Sequence, residues 1–137
     1  LLLDANVLVR FLVQDDAKQG PAATALLEAA ERGEHRLHLD SLTVAETVYV
    51  LIGRYHRNRQ DVATALLAIV QNAGMETAEA DIVADALRRF ASAKVDFTDA
   101  WLAARAAQLG LGVASFDRDL DKFKDIQRVE PKGSPGG

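Results

Sequence analysis

A chain of 137 residues and 14.8 kDa has the size of one folded domain, and its 49% hydrophobic and 26% charged residues exclude a disordered or fibrous class. It holds no cysteine, which excludes disulfides, thiolate zinc sites and cysteine nucleophiles, and no apolar run near the ~18 residues that a membrane span needs, so a cytoplasmic protein is expected. A net charge of −4 and a pI of about 5.3 do not suggest a bulk polyanion binder, so any contact with nucleic acid must rely on local basic groups.

The chain opens without methionine and already in a strand pattern, which implies residues before Leu1. Leu1-Leu2-Leu3 is a short apolar run that ends in Asp4, and a short helix is expected over Val7 to Val13. Pro21 and Gly33 bracket an Ala/Leu-rich helix over 22–32, since proline suits a helix start and glycine its end. Residues 36–39 read as a second strand, and Ser41 is positioned to cap a helix running to about Tyr55. Another helix is expected from about Asp61 to Asn72, stopped by Gly74. Thr77 should cap the next, in which Ile82, Val83, Ala86, Leu87 and Phe90 share one face. Asp96 should cap a helix over 97–109, which Gly110 and Gly112 terminate. A short strand over 113–115 leads into a loop with Asp117, Asp119 and Asp121, and 126–129 reads as a last strand. Residues 131–137 have the composition of a disordered tail, so the domain is expected to span 1–130.

Short apolar strands separated by helices pair in parallel, because each return to the same edge of a sheet needs a crossover. The expected fold class is therefore α/β. Ligands of such sheets bind beyond the carboxyl ends of the strands, where Asp4 and Asp117 lie.

Four acids attract chemical interest. Asp4 emerges from a buried strand, and its charge needs either a metal ion or the N–H groups of the following helix. Asp99 sits with Leu102, Ala103, Ala106 and Leu109 on what reads as the buried stripe of its helix, although an acid in a first turn also suits the helix dipole. Glu46 is a lone acid in the nearly apolar stretch 42–52, facing either a polar cleft or open solvent. Asp117 directly follows a strand, in a loop whose other acids read as solvated surface. His35, His38 and His56 have no ligand spacing, and Trp101 is expected on the exposed face of its helix. There is no Walker loop, dinucleotide-binding glycine motif, H-E-x-x-H or G-x-S-x-G.

Taken in order, the segments Leu-Leu-Leu-Asp4-Ala-Asn6-Val-Leu-Val, Ser41-Leu-Thr-Val-Ala-Glu46, Asp96-Phe-Thr-Asp99-Ala-Trp-Leu-Ala-Ala and Ser115-Phe-Asp117 make the chain resemble the PIN-domain ribonucleases, in particular the VapC-type toxins of toxin–antitoxin pairs. The resemblance implies a three-layer α/β/α sandwich around a central parallel sheet. It implies catalytic and metal-binding roles for Asp4, Glu46, Asp99 and Asp117, with Asn6 and Ser115 as supporting hydrogen-bonders. It also implies RNA as substrate, a homodimer, and a cognate antitoxin docking over the acidic cleft.

Clustered carboxylates are hard oxygen ligands that suit Mg²⁺ or Mn²⁺, and without a cation at least one of them should hold its proton unusually tightly. Two basic groups stand ready for phosphates: Arg54, His56, Arg57 and Arg59, and then Arg118, Lys122 and Lys124. Two alternatives remain: a PIN-like module that binds RNA or protein without cleavage, and a haloacid-dehalogenase-type phosphatase with Asp4 as nucleophile. In the latter family the acid after next is normally aspartate, where this chain has Asn6.

Overall fold

In the computed structural model, which describes residues 1–133, six helices surround short strands that all pair in parallel. The apolar run at the start, Leu1–Leu3, lies along β1 (Leu37–Leu39): Leu3 N–H donates to the His38 carbonyl at 2.9 Å, and His38 N–H to that of Leu1 at 2.7 Å. On its other side β1 pairs with β2 (Met75–Thr77), Leu37 opposite Met75 and Leu39 opposite Thr77. A second parallel ladder joins β3 (Val113–Ala114) to β4 (Arg128–Val129). Pairing is thus divided between two ladders, within the α/β fold that the sequence implies.

The connections are α1 (Ala5–Val13), α2 (Gln19–Glu31), α3 (Ser41–Gly53), α4 (Arg59–Val70), α5 (Ala80–Ser92) and α6 (Phe97–Leu109), followed by a 3-10 helix at Arg118–Lys122. On α5 the stripe expected from its periodicity, Ile82, Val83, Ala86, Leu87 and Phe90, is buried throughout. It meets Leu37, Leu39, Val44, Leu66 and other apolar residues in a single core cluster, each large aliphatic side chain contributing about 1.5–3 kcal/mol of transfer free energy. Thr47, the one buried polar residue in this core, satisfies its hydroxyl by donating to the Thr43 carbonyl at 2.8 Å.

Several boundaries differ from expectation for identifiable reasons. The first residue before α3 is Asp40, one position ahead of Ser41, and its side chain makes no capping bond. α4 starts at Arg59 because the Asn58 side chain accepts the N–H groups of Gln60 and Asp61 at 2.8 and 3.3 Å. α2 starts before Pro21 because Asp16 accepts from Lys18 and Gln19 N–H at 2.9 and 2.7 Å. Thr77 ends β2 and caps nothing; the residue before α5 is Glu79, in the left-handed region at φ 54°. The last strand is limited to Arg128–Val129.

The face of α6 is rotated from the expected stripe. Its buried residues are Phe97, Ala100, Ala103, Ala104 and Ala106, while Leu102 and Leu109 are 45% and 53% exposed. Alanines turned inward let α6 lie close against α5, a gain from close approach that a scan for large apolar residues overlooks. Trp101, expected in solvent, is half-buried against the core in a cleft with Leu42, Ala45 and Phe97. Of the tail expected over 131–137, residues 131–133 hold no helix or strand, and the last four lie outside the described residues.

Gly74, expected as a helix stop, is required for another reason. A Cβ there would sit 2.0 Å from the backbone carbonyl oxygen of Ala30, near the end of α2. Gly74→Ala should therefore destabilise the protein by about 1–3 kcal/mol or more through overpacking against backbone. Gly53→Ala, where a Cβ meets nothing within 4 Å, should leave stability within about 0.5 kcal/mol. Urea denaturation midpoints of the two variants check this contrast.

Candidate metal centre

The site begins with the linker 93–96, which fixes where α6 starts. One Arg59 guanidinium nitrogen donates to the carbonyls of Phe90, Ala93 and Val95 at 2.8, 2.7 and 3.0 Å, and the group stacks on the Phe90 ring at 4.2 Å. Lys122 Nζ donates to the intervening Lys94 carbonyl at 2.8 Å. Three consecutive carbonyls are thus gripped by cations before the chain enters α6. Asp96 occupies the N-cap position with extended backbone but forms no side-chain cap, and Asp99 follows in the first turn, half-buried.

The loop after β3 brings the second part. Ser115 Oγ accepts the Asp117 N–H at 2.9 Å, and Asp117 Oδ1 accepts the Asp119 N–H at 2.9 Å. This side-chain-to-backbone turn opens the 3-10 helix and folds Asp119 back beside Asp117. As a result Asp99, Asp117 and Asp119 each offer an oxygen within 4.8 Å of the others, the one such group of three ligand-type residues among the described residues.

Electrostatics mark the same place. The Asp99 carboxyl is pushed up to about 6, first by burial, then by the close approach of Asp117, and further by the charges of Asp96 and Asp119. This is the tightly held proton expected of crowded carboxylates without a cation. Lys122, 3.2 Å from Asp119 Oδ1, offsets part of the charge. The donors are all hard carboxylate oxygens, a set that fits Mg²⁺ or Mn²⁺ and no soft metal.

The other acids expected in the site, Asp4 and Glu46, are not members of this group of three. Asp4 lies just past the Leu1–Leu3 run that pairs with β1, exposed, in the N-cap position of α1 but without a capping bond. Glu46 is exposed on α3, one turn beyond Thr43, whose hydroxyl donates to the Leu3 carbonyl at 3.4 Å and so sets the start of α3 against the end of that run. Asn6, also exposed, lines a cleft between α1 and α2 together with Val7, Arg10 and Leu26. Asp119 was legible only as part of an acidic surface loop. The overlooked signal is the Asp-x-Asp spacing, in which the first carboxylate captures the N–H of the second.

The basic groups divide as well. Arg54 and Arg57 are exposed past the far end of α3, about 20 Å along the helix from its first turn at 1.5 Å per residue. Arg59 is committed to the three carbonyls and Lys122 to Asp119 and Lys94. Arg118 is exposed, between two acids of the trio in sequence, and forms no ion pair among the described residues.

A family model described as PIN domain matches residues 1–126. No curated protein matches the chain. The family match covers all three clustered acids together with Asp4 and Glu46, and it leaves the haloacid-dehalogenase-type alternative without support.

The raised Asp99 pKa has a definite consequence for stability. Between about pH 4 and 6 the folded metal-free protein keeps a proton on Asp99 that the unfolded chain, with its ordinary value near 3.8, has released. The native state binds more protons in that window, so this group's stabilisation is full below it and is lost as pH rises through it. Allowing for solvent screening, the loss should be on the order of 1 kcal/mol. Asp99→Asn should remove that slope and be more stable than the parent at pH 7 in chelator, as urea midpoints for both proteins at pH 4 to 7 would reveal.

Proposed function

The chain belongs to the PIN-domain family, and from that premise we propose that it is a metal-dependent endoribonuclease, the toxin of a VapC-type toxin–antitoxin pair. PIN domains are in general metal-dependent nucleases. The observation that carries the reading is the meeting of Asp99, Asp117 and Asp119 within 4.8 Å, at the start of a helix and beyond the end of a parallel strand. Asp4 and Glu46 supply further carboxylates toward the same substrate, with Asn6 and Ser115 as supporting hydrogen-bonders. Here Ser115 acts by accepting the Asp117 N–H.

Mg²⁺ or Mn²⁺, when bound, would lower the pKa of a water molecule and offset charge on the phosphodiester. The chain's own part is to hold its carboxylates in place. Asp99 gives up its proton so that the set carries full charge, and Asp117 and Asp119 stay fixed by their turn. Arg118, exposed beside these acids, is the side chain best placed to meet a substrate phosphate. The protein is proposed to work in the cytoplasm as a homodimer restrained by its antitoxin. No described helix is long and apolar enough to cross a membrane.

A competing reading, a module that binds RNA or protein without cutting, draws on Asp4 and Glu46 standing outside the three-acid group. Cleavage of single-stranded and structured RNA decides between the two. Activity should require Mg²⁺ or Mn²⁺, vanish in chelator, and fall at least about 100-fold in Asp99→Asn and Asp117→Asn, the scale expected when charge-stabilising groups are lost. Growth arrest on induced expression, relieved by the same substitutions, would support the toxin role. RNA binding that survives both substitutions, with no cleavage under any divalent ion, would establish the binding module instead.

A further inference from the structure

The geometry assigns Arg128 as the positioning residue of the acid-bearing loop, an inference that rests on the metal-centre reading above. Arg128 opens β4 opposite Val113, and its side chain is only 12% exposed. Its Nε and Nη2 fork the two Asp121 oxygens at 2.9 and 3.2 Å, while Nη1 donates to the Ser115 carbonyl at 3.1 Å and to Glu130 at 3.2 Å. Ser115 and Asp121 are the first and last residues of the segment that carries Asp117 and Asp119. One guanidinium therefore pins both ends of it.

Inside those ends the segment is also held by Leu120, buried in the core, and by the Lys122–Asp119 pair at 3.2 Å. Ser115 Oγ takes the Asp117 N–H and Asp117 takes the Asp119 N–H, and a longer backbone bond runs from Leu120 to Asp117 at 3.3 Å. The first of these bonds involves Ser115 itself, and the second runs to the Asp117 it holds. The Ser115 N–H donates to the Val129 carbonyl at 3.1 Å, and its carbonyl is held by Arg128. A planar fork reaches a carboxylate and a carbonyl in two directions at once, which a lysine ammonium at the same charge does not reproduce. Arg128 touches none of the three acids and acts on them through Ser115 and Asp121.

Arg89 is a natural control. It is equally enclosed, 13% exposed, and binds Asp85 at 3.1 Å and Asp125 while lying over the Phe123 ring, but it anchors the chain beyond the acid-bearing segment. The test is Mn²⁺ affinity of the full chain, measured by titration calorimetry well below the unfolding temperature, alongside urea stability. Arg128→Lys and Asp121→Asn should each weaken Mn²⁺ binding about tenfold or more, the scale seen when outer partners of ligands are lost, and their combination should be less than additive. Arg89→Ala should lose stability with Mn²⁺ affinity within about twofold of the parent.

Parent-like binding in folded Arg128→Lys, or an equal loss in Arg89→Ala, would overturn the assignment. A parent protein that takes up no Mn²⁺ would instead overturn the metal-centre reading, and this inference with it. Arg128→Ala is avoided because it leaves Asp121 and Ser115 unpaired together; the two conservative variants keep the fold and carry the test.

Discussion

Two like unit charges about 4 Å apart repel by roughly 4 kcal/mol at the effective dielectric of a protein surface, so carboxylates assembled within that range stay together only if the backbone forces them to. Asp99, Asp117 and Asp119 are forced from two directions. The first turn of α6 delivers one, and a side-chain-to-backbone turn after β3 delivers the other two. The raised pKa of Asp99 reflects its burial first and the neighbouring acids second, and keeping a proton relieves both. A divalent cation relieves the crowding of acids in another way, and the crowding therefore sets a preference for an occupied site.

The scaffold around the acids can be read as the means of resisting that repulsion. Arg59 and Lys122 grip three consecutive carbonyls ahead of α6, and Arg128 grips both ends of the loop after β3. None of these cations forms an ion pair with Asp99 or Asp117. Such a direct pair would compete with a metal for the same oxygens, whereas grips on backbone and on Asp121 position the carboxylates while leaving their charge available. Lys122 is the intermediate case, since it both holds the linker and neighbours Asp119.

Much of this architecture was legible in the sequence where periodicity was strong. The α5 stripe, the alternation of short apolar strands with helices, and the parallel pairing all follow from side-chain spacing. On α6 the expected stripe holds at Ala103 and Ala106 and fails at Leu102 and Leu109, because size suggests core for leucine while small alanines are what this helix buries. Asp117 could be singled out by its position just past a strand, and Asp99 by its place on what reads as the buried stripe of its helix. Asp119 could not, because what distinguishes it from Asp121 is tertiary. Asp121 is neutralised by Arg128, which holds its carboxyl below the usual range, whereas Asp119 is turned toward two other acids. Likewise a count of basic residues gave Arg59 a substrate role, and only three-dimensional contacts reveal that its donors are spent on the chain's own carbonyls.

The same accounting bears on how a protein of net charge −4 meets a polyanion. Arg59, Arg89 and Arg128 are occupied by internal acceptors, and Arg54 and Arg57 lie beyond the far end of α3. Among the described residues, Arg118 is then the basic side chain beside these acids without an ion pair, so under the proposed function counterion release would add little to affinity and a steep dependence of binding on salt is not expected. Under the proposed function, affinity for RNA would instead come from what bridges phosphate and carboxylate, the role a divalent ion would play between two sets of anions. The acidity that argues against a general nucleic-acid binder is thus consistent with a nuclease whose hold on substrate is built largely around its metal.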